Sequence, residues 1–169
     1  PETMSQVLDA LLRTNFVHHI DAPSLSLLMP ILDRALQDRS AEVKTKAAQI
    51  VGNMCQLTEH KDLAPYLASM VQQMKALVMD PNPTTRSTAA RALGSLLRGM
   101  RDMESTGGEV SMHQTSNELI AHLIETIKAP NLGEVERSGA AQGIAEVIGS
   151  IEDLEVSIQN REHATESDE

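Results

Sequence analysis

Shifted by 42 residues, the sequence falls on itself without a gap: Pro23 lands on Pro65, Leu25 on Leu67, Leu28 on Met70, Met29 on Val71, Leu32 on Met74 and Leu36 on Val78. The match continues from Asp38 to Asp80, Lys44 to Arg86, Ala47–Ala48 to Ala89–Ala90, Val51–Gly52 to Leu93–Gly94 and Met54 to Leu96. A chain built this way has to bury one recurring apolar face against successive copies of itself. A third copy carries insertions. A shift of 49 brings Met70, Val71, Met74 and Val78 onto Leu119, Ile120, Leu123 and Ile127, and Pro81–Asn82 onto Pro130–Asn131. Two extra turn residues then make the shift 51, setting Arg86 on Arg137, Ala89–Ala90 on Ala140–Ala141 and Leu93 on Ile144.

Each unit reads as two helices. In the first, Asp21-Ala-Pro-Ser opens a helix over about 23–37 that carries Leu25, Leu28, Met29, Leu32 and Leu36 at helical spacing. After the polar turn Gln37-Asp-Arg-Ser-Ala, a second helix over about 41–57 turns Val43, Ala47, Ala48, Ile50, Val51 and Met54 inward. In the next unit the turn is Asp80-Pro-Asn-Pro, whose prolines lack the N–H that a continuing helix needs. The face that follows, Ala89, Ala90, Leu93, Leu96 and Leu97 with Gly94, is flat enough for a neighbouring helix to come close. Paired helices at a period of about 40–47 residues are the signature of HEAT or armadillo arrays. The expected fold is all-α, an armadillo-like superhelix of stacked antiparallel helix pairs.

The expected organisation is the end of a preceding repeat at 1–20, with a short helix over 4–14, and HEAT repeats at 21–60, 61–98 and 117–151. An exposed inter-repeat loop at 99–116 follows from Gly99, Gly107 and Gly108, and an acidic, disordered tail is expected at 152–169. Neither end shows the polar cap with which such arrays close, so the chain reads as part of a longer one.

Composition agrees with a helical core. Apolar residues make up 41% of the chain but aromatics only 1%, so Leu, Ile, Val, Met and Ala must fill the interior. No apolar run is long enough for a transmembrane span and no signal peptide is evident. The net charge of −10 is uneven: from Glu152 onward seven acids face one base, and the rest of the chain carries only −4. That balance is not the footprint of a DNA-binding domain. The single cysteine, Cys55, rules out an internal disulfide and fits a small core residue in a reducing, cytoplasmic setting.

Several stretches then resemble one family. They are residues 16–32 (from Phe16-Val-His-His-Ile to Met29-Pro-Ile-Leu), Lys46-Ala-Ala-Gln-Ile-Val-Gly-Asn-Met-Cys, Asp62-Leu-Ala-Pro-Tyr-Leu, Thr88-Ala-Ala-Arg-Ala-Leu-Gly-Ser-Leu and Val135-Glu-Arg-Ser-Gly-Ala-Ala-Gln-Gly. Together they resemble the HEAT region that translation elongation factor three shares with the very large general control translational activator. The stretches from Thr88 and Val135 favour the activator. The resemblance implies a cytoplasmic, ribosome-associated scaffold. Its partners would be the ribosome and proteins of the translation stress response, and it would help activate the kinase that phosphorylates initiation factor two in amino-acid starvation. Two other readings stay open: a HEAT adaptor from an unrelated pathway, and the HEAT arm of an ATP-binding-cassette elongation factor.

No phosphate loop, dinucleotide fingerprint, His-Glu-x-x-His or Cys-x-x-Cys pattern occurs, so neither a catalytic residue nor a cofactor is expected. The six histidines lack metal-ligand spacing; His18 and His19 would point about 100° apart on a helix. Lys44, Arg86 and Arg137 recur at one repeat position. Each is expected to bond an acid or a turn carbonyl, Asp38 and Asp80 being the acids, with ligand contact as the alternative. Ala47, Ala48, Ala89, Ala90, Ala140 and Ala141 are expected as the small positions of the stack. Arg91, Arg98 and Arg101 are the better candidates for contact with a partner or ribosomal RNA, against a merely solvated helix face.

Overall fold

The computed structural model describes residues 2–13, 20–104 and 112–166, and among them it contains seven helices and no strand. They are α1 (Glu2–Arg13), α2 (Ala22–Leu36), α3 (Ala41–Leu57), α4 (His60–Leu77), α5 (Pro83–Glu104), α6 (Met112–Lys128) and α7 (Glu134–Glu166). The odd helices pack side by side, α1 on α3, α3 on α5 and α5 on α7. The even helices form a second layer that covers them, α2 on α3, α4 on α5 and α6 on α7. This is a stack of antiparallel helix pairs, α2/α3, α4/α5 and α6/α7, with α1 continuing the odd layer on one side.

The starts of the helices follow from the residues that satisfy free backbone donors. Asp21 caps α2, its carboxylate accepting from the Ser24 N–H at 3.0 Å, and those hydrogen bonds hold the carboxyl below its ordinary pKa. The turn before α3 and the turn before α5 are built alike: Asp38 Oδ1 accepts from Ser40 N at 2.8 Å, and Asp80 Oδ1 accepts from Asn82 N at 2.9 Å. The side chains of Ser40 and Asn82 then cap the helices, receiving the N–H of Val43 at 3.4 Å and of Thr85 at 3.1 Å. Chain entry into α2 is tied to the end of α3, where the Ile20 N–H donates to the Leu57 carbonyl at 2.8 Å.

Between the layers runs one core. Leu25 and Leu67, Met29 and Val71, and Leu32, Met74 and Leu123 are buried at repeat-equivalent places of α2, α4 and α6, and Met70 and Leu119 share another. They meet Ala47, Val51 and Met54 of α3 and Ala89, Leu93 and Leu96 of α5 in the same cluster. The small residues act where helices of the odd layer touch. A methyl group on Gly52 would sit 3.4 Å from Ala92 Cα, and one on Gly94 would sit 3.2 Å from the Glu146 carbonyl oxygen.

Two expectations about segments are corrected. The loop expected over 99–116 is narrower, since α5 continues to Glu104 and α6 begins at Met112, while 105–111 lie outside the described residues. Gly99 falls in the expected loop, but it lies within α5 and is buried against Cys55, where a methyl group would come 3.9 Å from the Cys55 Cβ. Its small size serves packing, and the helix runs through it. The tail expected from 152 is helical to Glu166, because α7 runs on without a break. No glycine or proline follows Gly149 to stop it.

Candidate functional site

The repeat dictates a second alignment, on the outer side of the odd helices. Gln49, Asn53 and Gln56 of α3 stand at the positions of Arg91, Ser95 and Arg98 of α5, in each case 42 residues earlier. Spacing of four and then three residues keeps each trio on one helix face, spanning about 10 Å along the axis at 1.5 Å per residue. Because α3 and α5 lie side by side, the two rows face each other across a groove of about 490 Å³. Ala48, Gly52 and Ala92 line its base and Glu146 of α7 closes one side.

The walls are polar and accessible. Gln49, Asn53, Gln56 and Arg91 are exposed and Arg98 is half-buried. Arg98 donates from Nη2 to Ser95 Oγ at 3.3 Å. Its Nη1 and the Glu146 carboxylate both come over Gly94, the small residue that makes room for them. Of the three arginines expected at a contact, the structure brings Arg91 and Arg98 into this groove. Arg101 follows in the last turn of α5, and its side chain lies outside the described residues. The amide row on α3 was missed in the sequence. Its only signal there is the repeat itself, which sets three amides against Arg91, Ser95 and Arg98.

The recurrent cations go to structural partners. Lys44 forms an ion pair with Asp80 of the following unit, and both side chains are largely buried. Of the two acids expected for the recurrent cations, Asp80 takes Lys44, while Asp38 accepts from the Ser40 N–H in its own turn. Arg86 is 8% exposed and donates from Nη1 to the carbonyls of Asp80 at 3.0 Å and Pro81 at 2.9 Å. Arg137 donates more weakly, from Nη2 to the Ala129 carbonyl at 3.4 Å. Ala47, Ala48, Ala89, Ala90 and Ala140 are buried, whereas Ala141 is exposed. Ala48 and Ala90 lie against the next odd helix, and among the described residues no odd helix lies beyond α7 to cover Ala141.

Reactive chemistry finds little footing. Burial pushes the Cys55 thiol up to about 12, so it carries no thiolate at neutral pH. His122 is shifted down, first by burial and then by the nearby Lys75 cation. Among the described residues no three His, Cys, Asp or Glu side chains gather as a metal site, and no helix is long and apolar enough to cross a membrane.

Comparison with known proteins gives a consistent neighbourhood. Residues 3–107 match the model of the "Elongation factor 3/GNC1 HEAT repeat" family. The chain is 50% identical over 153 residues to the eIF-2-alpha kinase activator GCN1 of Dictyostelium discoideum, covering 90% of this chain and 5% of that protein. It is 48% identical over 144 residues to the stalled ribosome sensor GCN1 of Homo sapiens, covering 85% of this chain and 5% of that protein. Similarity to the elongation factor 3 of Pneumocystis carinii is lower, 34% over 102 residues, covering 58% of this chain and 10% of that protein. The chain thus spans about one twentieth of the GCN1 relatives. No solved structure matches it.

Proposed function

The chain belongs to the elongation factor 3/GNC1 HEAT-repeat family, and from that premise we propose that it is a non-catalytic scaffold segment of a ribosome-associated translational regulator. On this reading the whole protein acts in the cytoplasm and helps activate the kinase that phosphorylates initiation factor two in amino-acid starvation. The supporting observation is identity of 48–50% over most of the chain to proteins whose names state kinase activation and the sensing of stalled ribosomes. Similarity to elongation factor 3 is lower and covers less of the chain, which favours the activator over the arm of a cassette ATPase.

Within the segment, the units 21–60, 61–98 and 117–151 set a rigid spacing, and Arg91, Arg98 and Arg101 face a partner. Lys44, Arg86 and Arg137 belong to the scaffold rather than to the contact, since their donors go to the turns and to Asp80. The test is co-sedimentation of the purified chain with ribosomes over a salt series. The chain is expected in the ribosomal pellet at low salt and progressively less as salt rises, as ionic contacts require. The triple variant Arg91→Glu, Arg98→Glu, Arg101→Glu is expected to stay in the supernatant. Absence of the chain from the pellet even at low salt would remove ribosome contact from this segment.

A further inference from the structure

The groove between α3 and α5 has a chemistry that selects its occupant. We propose that it binds an extended, acidic stretch of polypeptide, the backbone held by the amides of Gln49, Asn53 and Gln56 and a carboxylate held by Arg91 and Arg98. This rests on the reading that Arg91 and Arg98 face a partner, and it names what kind of partner they face.

Three features carry the assignment. A primary amide offers a donor and an acceptor together, which is what a peptide group offers in return. Gln49, Asn53 and Gln56 are exposed, and none is bonded through its side chain to another described residue. Four residues of helix rise about 6 Å, close to the 6.6 Å at which an extended chain repeats its orientation every two residues. An amide at Gln49 and one at Asn53 therefore meet successive same-facing peptide groups.

The base supplies the second feature. Ala48, Gly52 and Ala92 leave room for a main chain between two helices packed side by side, whereas a helix about 10 Å across would ride above them. The third feature is charge. Two guanidiniums sit in a chain of net charge −10, so an acid is attracted locally while a long polyanion is repelled by the whole. Glu146 at the side of the groove is placed to accept a peptide N–H. Among the described residues no aromatic side chain lines the groove, so it offers no stacking platform for bases. These features favour a protein segment over a nucleic acid.

The experiment is an anisotropy titration of the full chain against three fluorescein-labelled probes. They are an alternating Thr–Glu peptide of about ten residues, long enough to overrun the groove, the matching Thr–Gln peptide, and a uridine oligonucleotide of similar length. The Thr–Glu peptide is expected to bind best. Asn53→Ala and Arg91→Ala, both exposed positions, should each raise its Kd by about fivefold, as loss of one good hydrogen bond does. Far-UV circular dichroism of both variants should match the parent. Tighter binding of the oligonucleotide, equal binding of the Thr–Gln peptide, unchanged affinity in both variants, or no response to Thr–Glu up to millimolar chain would each overturn the proposal. The titration contains no ribosome. A failure here thus leaves the co-sedimentation result standing, and a failure to pellet leaves the peptide result standing.

Discussion

Gly139→Ala is expected to unseat the third helix pair from the second and to cause the largest stability loss of any glycine-to-alanine change among the described residues. A Cβ at Gly139 would lie 1.8 Å from the Val78 carbonyl oxygen and 3.0 Å from both the Val78 carbonyl carbon and Arg86 Cδ. Val78 is the C-cap of α4, is fully buried, and bonds back through its N–H to Met74 at 2.9 Å, so its carbonyl cannot swing aside like a side chain. A Cβ at Gly143, one turn on, would likewise lie 3.1 Å from Leu123 Cδ1 and 3.2 Å from Val78 Cγ1, so α7 is close to its neighbours there as well. Overpacking costs about 1–3 kcal/mol where side chains can yield, and a collision with backbone belongs at or beyond the top of that range. A thermal melt followed by circular dichroism should show Tm lower by roughly 6–12 °C. Gly149→Ala is the internal control. It meets nothing within 4 Å, and replacing a helical glycine there should hold stability or raise it by up to about 1 kcal/mol through helix propensity. Equal behaviour of the two variants would mean that α7 does not lie against the α4–α5 turn.

Asp80→Ala carries the second largest expected effect, because one buried carboxylate joins two repeats. It accepts from Asn82 N at 2.9 Å, which shapes the turn into α5, and it receives the ammonium of Lys44 from the preceding unit. Its own carbonyl is one of the two that hold Arg86. Truncation leaves a backbone donor unsatisfied and strands a cation that is only 18% exposed. The expected cost is about 2–4 kcal/mol, read as a lower urea midpoint at unchanged m-value. Asp80→Asn keeps an acceptor for Asn82 and gives up only the charge, so it should fall between the parent and the alanine variant. If asparagine and alanine are equally costly, the cross-repeat ion pair dominates; if asparagine matches the parent, the turn does.

Much of this architecture was legible because a repeat is its own alignment. Leu28, Met70 and Leu119 have the same periodic context, and a helix that must bury one face three times declares that face three times. The turns were less legible: Asp38 and Asp80 read only as acids for the recurring cations, and their bonds to the backbone two residues on emerge from the structure. What the repeat hid was how the units pair. Lys44 reaches Asp80 rather than Asp38 because the step between stacked helices, and not proximity along the chain, decides which acid lies within range. Gly99 looked like punctuation, yet α5 runs through it and packs it against Cys55. Ala141 shares a repeat position with buried alanines, but burial there needs a further odd helix packed against α7. The amides at Gln49, Asn53 and Gln56 carry no motif at all; they acquire meaning only when α5 is laid beside α3.

Everything proposed for the groove depends on that placement, and one pair of side chains reports it directly. Thr45 Oγ1 and Thr85 Oγ1, at the starts of α3 and α5, lie 2.9 Å apart across the repeat boundary. In a Cys55→Ala background, the double variant Thr45→Cys, Thr85→Cys therefore places two thiols within bridging reach. Mild oxidation should close an intramolecular disulfide, seen as the loss of two hydrogens by mass spectrometry and of both free thiols by titration. If both thiols stay free, or link only between molecules, α3 and α5 do not stack in this register and the facing rows of the groove do not exist.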